Sequence, residues 1–326
     1  MRSRILDLLN NHQGDYVSGE SISQALNITR AAVWKQIQGL KESGYEIEGQ
    51  TKRGYRLVGI PYTLEQWALK HLLRTEALGR QLFLYEQLPS TNERGKDLAR
   101  QGGEHGTVLI AKQQITGRGR MQRVWESPQG GLWLTILLKP KLSLGEAAKL
   151  TLSAGVALAQ TLQDLYGLEI GIKWPNDIVV QGKKIAGILG EVAGEWNTVQ
   201  TLILGFGVNA NFPRQALSEE LTATTLQDIL GHRINLNQLA AQLLFNLERE
   251  VQSLEEGDAQ GLIRRWTSFA VGIDQPVQIE RAGAIYRGIF KGIRENGELV
   301  LDQGGQELAF SSGEVSLRAQ GQYSPD

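Results

Sequence analysis

The sequence contains no cysteine, which excludes disulfide bonds, a thiol nucleophile and thiolate metal sites. It also lacks an excess of charge, because 34 lysines and arginines stand against 35 aspartates and glutamates and leave a net charge of −1. No global field draws the chain to nucleic acid or to a membrane, so such binding must come from a local patch. The histidines are scattered without ligand spacing, which argues against a histidine metal site.

Long apolar runs are missing as well. No stretch approaches the length of a membrane-spanning helix. The chain starts with Met1-Arg2-Ser3-Arg4 and leads into a short amphipathic segment, which argues against an export signal. We therefore expect a cytoplasmic protein without a membrane partner. The length of 326 residues and the hydrophobic fraction of 41% indicate two or three ordinary globular domains.

Residues 1–60 show the spacing of a helix-turn-helix. One apolar face near the start predicts a first helix, and Ser18 and Thr29 can cap a second helix and a third over residues 30–43. Two segments in which apolar and polar residues alternate follow, and a basic turn that ends in Gly54 separates them. That turn suits the wing of a winged helix, so we predict a winged helix-turn-helix domain.

The third helix and the wing carry the side chains expected to meet DNA. No acidic residue lies between Arg30 and Lys41, and arginine, glutamine and lysine are the side chains that contact base edges and phosphates. The predicted DNA-binding residues are Arg30, Trp34, Lys35, Gln38, Lys52 and Arg53. Residues 1–60 hold only eight basic against six acidic residues, so a helical module that contacts proteins stays an alternative.

Residues 61–270 predict a larger α/β domain. The segment 132–138 is apolar on both faces, which is typical of a central strand in a sheet covered on both sides. A long amphipathic helix is predicted over residues 146–166, with further strands before and after it. From residue 271 onward, short alternating segments and an Asn296-Gly297 turn predict a small β-barrel, with a loose end from Gly321 onward.

The most informative stretch lies between Lys112 and Trp125. Two glycines alternate there with two arginines in the order Gly117-Arg118-Gly119-Arg120, and the stretch contains no acid. Glycines let the backbone approach a ligand closely, and guanidinium groups bind anions. The pattern indicates an anion-binding loop, although a solvated basic loop is the alternative for this stretch on its own.

A second stretch, downstream, favours the first interpretation. It reads Lys173-Trp174-Pro175-Asn176-Asp177 and continues after a turn as Lys183-Lys184-Ile185-Ala186-Gly187-Ile188. Together the two stretches resemble the biotin protein ligases, whose signatures are a Gly-Arg-Gly-Arg loop, a Lys-Trp-Pro-Asn-Asp segment and a Lys-apolar-Ala-Gly-Ile strand. The N-terminal domain looks like that of the bifunctional members of this family, and the C-terminal strands look like its SH3-like tail.

The resemblance implies a multidomain α+β fold. It consists of a winged helix-turn-helix over residues 1–60, a mixed-sheet catalytic domain of class II synthetase type over 61–270, and an SH3-like barrel over 271–326. Biotin, ATP and Mg²⁺ are the implied ligands. Lys184, Arg118 and Arg120 are implied to be catalytic, because they match family residues that hold the biotin carboxylate and the adenylate. Asp177 matches a position beside the nucleotide where a carboxylate can hold the magnesium ion.

The resemblance also implies a set of binding residues. Ser90, Thr91 and Asn92 match the biotin head-group segment, although Ser-Thr-Asn can also cap the helix that follows. Trp125 and Trp133 are expected to offer apolar walls. The implied cofactor-binding residues are Ser90, Thr91, Asn92, Gln114, Gly117, Arg118, Gly119, Arg120, Trp125, Asn176, Asp177, Lys184, Gly187 and Asn209.

The implied activity is biotin activation by ATP, followed by transfer to a lysine of a biotin carboxyl carrier domain of acetyl-CoA carboxylase or a similar acceptor. A repressor activity at operator DNA, in a homodimer that forms on adenylate binding, is implied beside it. The alternatives are a DNA-binding biotin sensor in which ligation is secondary and an enzyme like the lipoate or octanoyl transferases. One departure concerns Met121 and Gln122, which stand where the family has a basic residue and a third glycine, and predicts a stiffer, less cationic loop.

Overall fold

The computed structural model describes residues 1–12, 14–142, 147–193, 201–219, 221–311 and 313–317. The chain divides into two compact units, Met1–Leu72 and Leu73–Asp326. The domain boundaries predicted at residues 60 and 270 stay predictions. The chain end from Gly321 onward, which we expected to be loose, lies outside the described residues.

The first unit contains the predicted helices and strands of a winged helix-turn-helix. Its elements are α1 Arg2–Asn11, α2 Gly19–Leu26, α3 Arg30–Glu42, β1 Glu46–Gln50, β2 Gly54–Gly59 and α4 Gln66–Leu72. Both predicted helix caps are confirmed, since Ser18 Oγ accepts the Ser21 N–H and Thr29 Oγ1 accepts the Ala32 N–H. The antiparallel pair β1–β2 forms the wing, and its turn contains Lys52 and Arg53.

The second unit is built on a seven-stranded mixed sheet. The strands are β3 Leu82–Tyr85, β4 Val108–Ala111, β5 Leu132–Leu138, β6 Gly171–Lys173, β7 Asp177–Val180, β8 Lys183–Ala193 and β9 Thr201–Val208. They are arranged in the order β3-β4-β5-β9-β8-β7-β6. Only β3 and β4 pair in parallel, and the other pairs are antiparallel. Every residue of β5 is buried, which confirms the prediction of a central strand covered on both faces.

Helices cover this sheet. They are α5 Thr91–Arg100, α6 Ala147–Tyr166, α7 Leu226–Leu230, α8 Leu236–Glu255 and α9 Ala259–Phe269. Helices α7, α8 and α9 were not predicted from the sequence. Residue 146, the predicted start of α6, lies outside the described residues. Asn246 of α8 donates a hydrogen bond of 3.0 Å to Thr161 of α6, so a buried polar pair joins the two long helices. None of the described helices combines the length and the apolarity needed to cross a bilayer.

The sequence pattern of residues 64–78 predicts one helix, whereas α4 covers only Gln66–Leu72. The backbone N–H groups that follow α4 donate to a side-chain carboxylate. The carboxylate of Glu248 accepts the N–H groups of Glu76, Ala77 and Leu78 at 2.7–2.9 Å. These three donors are therefore satisfied by a side chain of α8 instead of by a helical carbonyl.

The C-terminal strands form a small antiparallel sheet. They are β10 Pro276–Arg281, β11 Ala284–Ile293, β12 Leu299–Asp302, β13 Glu307–Phe310 and β14 Glu314–Leu317, in the order β13-β12-β11-β10-β14. The sheet is of the predicted SH3-like type. Within the described residues, however, no pairing joins the two edge strands, so the sheet is open where we expected a closed barrel.

Candidate functional site

The residues of a ligand site must lie together in space, and most of the predicted ones do. A cavity of about 260 Å³ lies in the second unit, between the Gly-Arg loop and strands β7, β8 and β9. The predicted residues that line it are Ser90, Thr91, Asn92, Gln114, Arg118, Gly119, Arg120, Trp125, Asn176, Asp177, Lys184, Gly187 and Asn209. Gly117 is not among them. A side chain at Gly117 would lie 2.3 Å from the Trp125 carbonyl oxygen, so this glycine permits two backbone segments to pack.

One end of the cavity is formed by a hydrogen-bonded cluster of polar side chains. Gln114 Oε1 accepts the backbone N–H of Thr91 at 2.8 Å, and Gln114 Nε2 donates to Ser127 Oγ at 2.8 Å. Ser90 Oγ accepts the Glu93 N–H at 3.5 Å at the start of α5. Ser90 therefore caps α5 and also lines the cavity.

Asn92 is the second polar group at this end, and its side chain is 6% exposed. Thr135 Oγ1 lies 2.7 Å from Asn92 Oδ1, and Asn92 Nδ2 donates to Glu191 Oε2 at 2.9 Å. A side chain at Gly205 would lie 2.2 Å from Asn92 Oδ1. The amide therefore packs directly against the glycine backbone of β9.

Trp125 forms the apolar wall of the cavity. A side chain at Gly207 would lie 2.4 Å from its indole nitrogen, and one at Gly187 would lie 3.3 Å from its ring. The indole Nε1 is buried and has no hydrogen-bond partner among the described residues. Trp133, which we expected to form a second wall, lies behind the cavity and is fully buried against Phe212.

Lys184 is held in place inside the cavity. Its ammonium nitrogen lies 2.6 Å from Asp177 Oδ1 and 5.0 Å from the centroid of the Trp125 ring. Its neighbour Lys183 does not line this cavity and instead borders a separate, more polar cavity. The two adjacent lysines therefore have different surroundings, as their alternation along β8 predicts.

The loop arginines make different contacts. Arg118 lies 3.6 Å from the carboxylate of Glu93, and its side chain is about half exposed. Arg120 donates to the side-chain oxygen of Asn176 at 3.3 Å and to the carbonyl of Gly313 at 3.4 Å. Gly313 belongs to the C-terminal segment, so this segment closes one side of the cavity.

Behind Arg118 lies an ion-pair network that the sequence analysis did not identify. Lys96 Nζ lies 3.0 Å from Glu93 Oε1 and 2.7 Å from Glu191 Oε1. The hydrogen bond from Lys96 lowers the pKa of the Glu93 carboxyl below its ordinary value. Burial alone would lower the pKa of Lys96, but its hydrogen bonds to Glu191 and Glu93 outweigh this effect and raise it. Glu93 and Lys96 are therefore both charged at neutral pH.

Residues 217–219 and 221–223, here called the strap, close another side of the cavity, and they too were not predicted from the sequence. The guanidinium group of Arg214 donates to the carbonyl oxygens of Leu217 and Ser218 at 2.9 and 2.8 Å, and to that of Leu221 at 2.5 Å. Ser218 also donates its backbone N–H to Glu126 Oε2 at 2.8 Å. The strap is thus tied to the segment that follows Trp125.

The departure at Met121 and Gln122 has a structural consequence. Both residues adopt left-handed backbone conformations, with φ of 54° and 63°. Side chains other than glycine adopt this region at a cost of about 1–2 kcal/mol per residue. The turn is therefore strained at the position where the family has glycine.

Asp177 is the predicted magnesium ligand. The described residues contain no cluster of three or more acidic or histidine side chains that could hold a metal ion. Magnesium ions at nucleotide sites commonly use one or two carboxylates, with phosphates and water supplying the remaining ligands. A single carboxylate on the cavity wall fits this mode of binding.

The predicted DNA-contacting residues lie in the first unit. Trp34 is 58% exposed on α3, although it is a large apolar side chain. The guanidinium group of Arg53 lies 4.4 Å from the centroid of the Tyr16 ring, which fixes this arginine on the wing. Arg30 lies 3.8 Å from the exposed carboxylate of Glu20. Since both partners are well exposed, water screens this pair and leaves the arginine available to a phosphate.

Three regions of the chain match known protein families. Residues 84–209 match the biotin/lipoate A/B protein ligase family, residues 2–56 match an HTH domain, and residues 272–318 match the biotin protein ligase C-terminal domain. The biotin protein ligase from Aquifex aeolicus in complex with biotin and ATP has a similar structure. It has a TM-score of 0.65 and 28% sequence identity, over 73% of this chain and 99% of that one.

Two curated relatives match over almost the full length. The bifunctional ligase/repressor BirA of Bacillus subtilis is 34% identical over 305 residues, which cover 93% of this chain and 94% of the relative. The protein of the same name from Escherichia coli is 31% identical over 322 residues, which cover 97% of each chain. The chain therefore belongs to the biotin protein ligase family and, within it, to the bifunctional ligase/repressors.

Proposed function

We propose that this chain joins biotin to ATP, giving biotinyl-5′-AMP and pyrophosphate, and then transfers the biotinyl group to a lysine of a carrier domain. The observation that carries the proposal is the convergence of Lys184, Arg118 and Arg120 on one cavity that also offers a polar end and an apolar wall. A carboxylate and a triphosphate repel each other, so a site that joins them must neutralise both.

In the first step, a carboxylate oxygen of biotin attacks the α-phosphorus of ATP, and the bond to the β-phosphate breaks. Lys184 is assigned to the carboxylate and the α-phosphate oxygens, where its positive charge stabilises the transition state. Arg118 and Arg120 are assigned to the same anions from the loop. Mg²⁺, when bound with the nucleotide at Asp177, would neutralise phosphate charge.

In the second step, the amine of an acceptor lysine attacks the carbonyl carbon of the adenylate, and AMP leaves as the amine loses a proton. Enclosure protects the reactive anhydride from water. Trp125 and the strap provide this enclosure on two sides. The acceptor is proposed to be the biotin carboxyl carrier domain of acetyl-CoA carboxylase, since a relative from Paracoccus denitrificans is named biotin–[acetyl-CoA-carboxylase] ligase and is 32% identical over 217 residues.

Biotin is favoured over lipoate, the other ligand class in the name of the matched family. The polar end of the cavity, with Thr91, Asn92 and Gln114, suits the donors and acceptors of a ureido ring, which a dithiolane ring does not have. The test is pyrophosphate release by the purified chain with ATP, Mg²⁺ and either acid. Release with biotin and labelling of a carrier domain are expected. Release with lipoate and not with biotin would show that lipoate is the acid that this site activates.

The second proposed function is repression at operator DNA by a homodimer that forms on adenylate binding. It is supported by the exposed basic residues of α3 and the wing in the first unit and by the match to an HTH domain. In a dimer, two recognition helices meet half-sites about 34 Å apart. The test is binding to palindromic DNA selected with the protein, biotin and ATP. Lys35→Ala is expected to weaken binding to all sequences. It is also expected to reduce the slope of the logarithm of the binding constant against the logarithm of the salt concentration by about one. An unchanged salt dependence would contradict this assignment.

A further inference from the structure

Asn92 is the group at the polar end of the cavity whose orientation matters most. Its side-chain amide presents a donor on one side and an acceptor on the other, so a rotation by half a turn exchanges the two. A ligand that meets the wrong side loses its hydrogen bond and leaves a buried polar group unpaired. The neighbours of the amide therefore decide which ligand atoms the cavity accepts.

The neighbours of Asn92 determine this orientation. Glu191 Oε2 lies 2.9 Å from one end of the amide, and an ionised carboxylate can only accept hydrogen bonds. The nitrogen must therefore face Glu191, and the oxygen faces Thr135 and the backbone of Gly205. Asn92 and Gly205 both line the cavity, and the amide oxygen of Asn92 is the atom next to Gly205. The amide oxygen is therefore the group that Asn92 presents to the cavity.

Glu191 is itself held in place. Its other oxygen lies 2.7 Å from Lys96 Nζ, and the side chain of Glu191 is only 29% exposed. Lys96 also pairs with Glu93, which lies 3.6 Å from Arg118. One oxygen of Glu191 faces Lys96 and the other faces Asn92, so a flipped amide would place its own oxygen against a carboxylate oxygen, and two acceptors cannot form a hydrogen bond.

We infer that Glu191, which does not line the cavity, is a positioning residue for ligand recognition: it keeps Asn92 Oδ1 directed at the ligand and so selects head groups that carry N–H donors. The inference rests on the proposed function, in which the head group is the ureido ring of biotin. It adds a specificity determinant behind the cavity wall, on the side of β8 that faces α5. The amide oxygen accepts one hydrogen bond from Thr135, and a ring without N–H donors would leave its second lone pair without a donor.

The test is the Glu191→Gln variant, which keeps the shape of the side chain but can donate as well as accept. Asn92 is then free to flip. The KM for biotin is expected to rise about tenfold, the effect of one lost hydrogen bond in a buried site. The KM for ATP and the kcat at saturating biotin are expected to stay near the wild-type values, because the reacting groups are not displaced.

Two further variants separate orientation from charge and stability. Glu86→Gln removes another lysine-paired carboxylate of the second unit, one that lies 2.9 Å from Lys112 and outside the cavity. Lys96→Met removes the ion pair but leaves Glu191 to accept from Asn92, so it is expected to lower the melting temperature and to keep the KM for biotin.

Equal effects of Glu191→Gln on the KM values for biotin and ATP would overturn the inference. So would an unchanged KM for biotin in that variant while the wild type binds biotin normally. A wild type that binds no biotin would instead contradict the proposed function.

Discussion

The ammonium group of Lys184 lies 2.6 Å from the carboxylate of Asp177, across the antiparallel pair of β8 and β7. The strand pairing fixes both backbones, and the ring of Trp125 covers the lysine from another side. The positive charge is thus preorganised on the cavity wall before any ligand arrives. A charge that is already in place costs no reorganisation when the transition state forms.

The first prediction concerns the two adjacent lysines. Lys184→Ala is expected to slow pyrophosphate release by about a hundredfold or more, the usual effect of removing one preorganised group that stabilises transition-state charge. Lys183→Ala is the matched control, because Lys183 borders the other cavity, and its rate is expected to stay within about twofold of the wild type. Steady-state pyrophosphate release measures both. Equal losses in the two variants would contradict the assignment.

The second prediction concerns the strained turn at Gln122. Glycine removes a left-handed conformational cost of about 1–2 kcal/mol, whereas its greater freedom in the open loop costs about 0.5–1 kcal/mol. Gln122→Gly is therefore expected to stabilise the closed loop and to slow the release of biotinyl-AMP about two- to fivefold. Stopped-flow or filter-binding dissociation kinetics measure this rate. Gln122→Ala keeps the strain and is expected not to slow release, so similar slowing by both variants would refute the explanation.

The third prediction concerns the strap. Arg214 binds several carbonyl oxygens at once, and a lysine in its place cannot reproduce this fork of donors. Arg214→Lys is expected to loosen the strap, to raise the KM for ATP about tenfold and to make the strap more sensitive to proteolysis. Arg233→Lys is the control, since Arg233 is an exposed arginine outside the cavity. A KM for ATP that does not change in Arg214→Lys would show that the strap does not help to bind the nucleotide.

The fourth prediction concerns stability. Glu248 accepts three backbone N–H groups at residues 76–78. Glu248→Ala leaves these donors without their acceptor and is expected to lower the free energy of unfolding by about 2 kcal/mol. Glu248→Gln retains one acceptor oxygen and should lose less. Urea denaturation followed by circular dichroism gives both values. The reverse order of the two variants would show that the effect comes from packing and not from these hydrogen bonds.

Much of the fold followed from local sequence signals. Ser18 and Thr29 are helix caps as predicted, and the continuous apolar run of β5 is a central buried strand. Such features depend on residues that are neighbours in the chain, so the sequence displays them directly. The cavity was also predictable for the same reason, because its loop and its lysine strand each belong to a short contiguous motif.

The features that were missed depend on residues far apart in the chain. Glu191 acts on Asn92, and Arg214 binds carbonyl groups in a strap that has no motif of its own. Nothing in the sequence near Arg214 indicates that its partners are backbone oxygens. Helices α8 and α9 do have capping residues, Asn235 and Asp258, and these signals could have revealed them.

The most direct test of the central claim is a crystal structure of the chain with biotin and a non-hydrolysable ATP analogue. The biotin carboxylate and the α-phosphate are expected side by side, each within about 3.5 Å of the ammonium group of Lys184 or a guanidinium group of the loop. Either ligand bound outside this cavity, away from Lys184, Arg118 and Arg120, would contradict it.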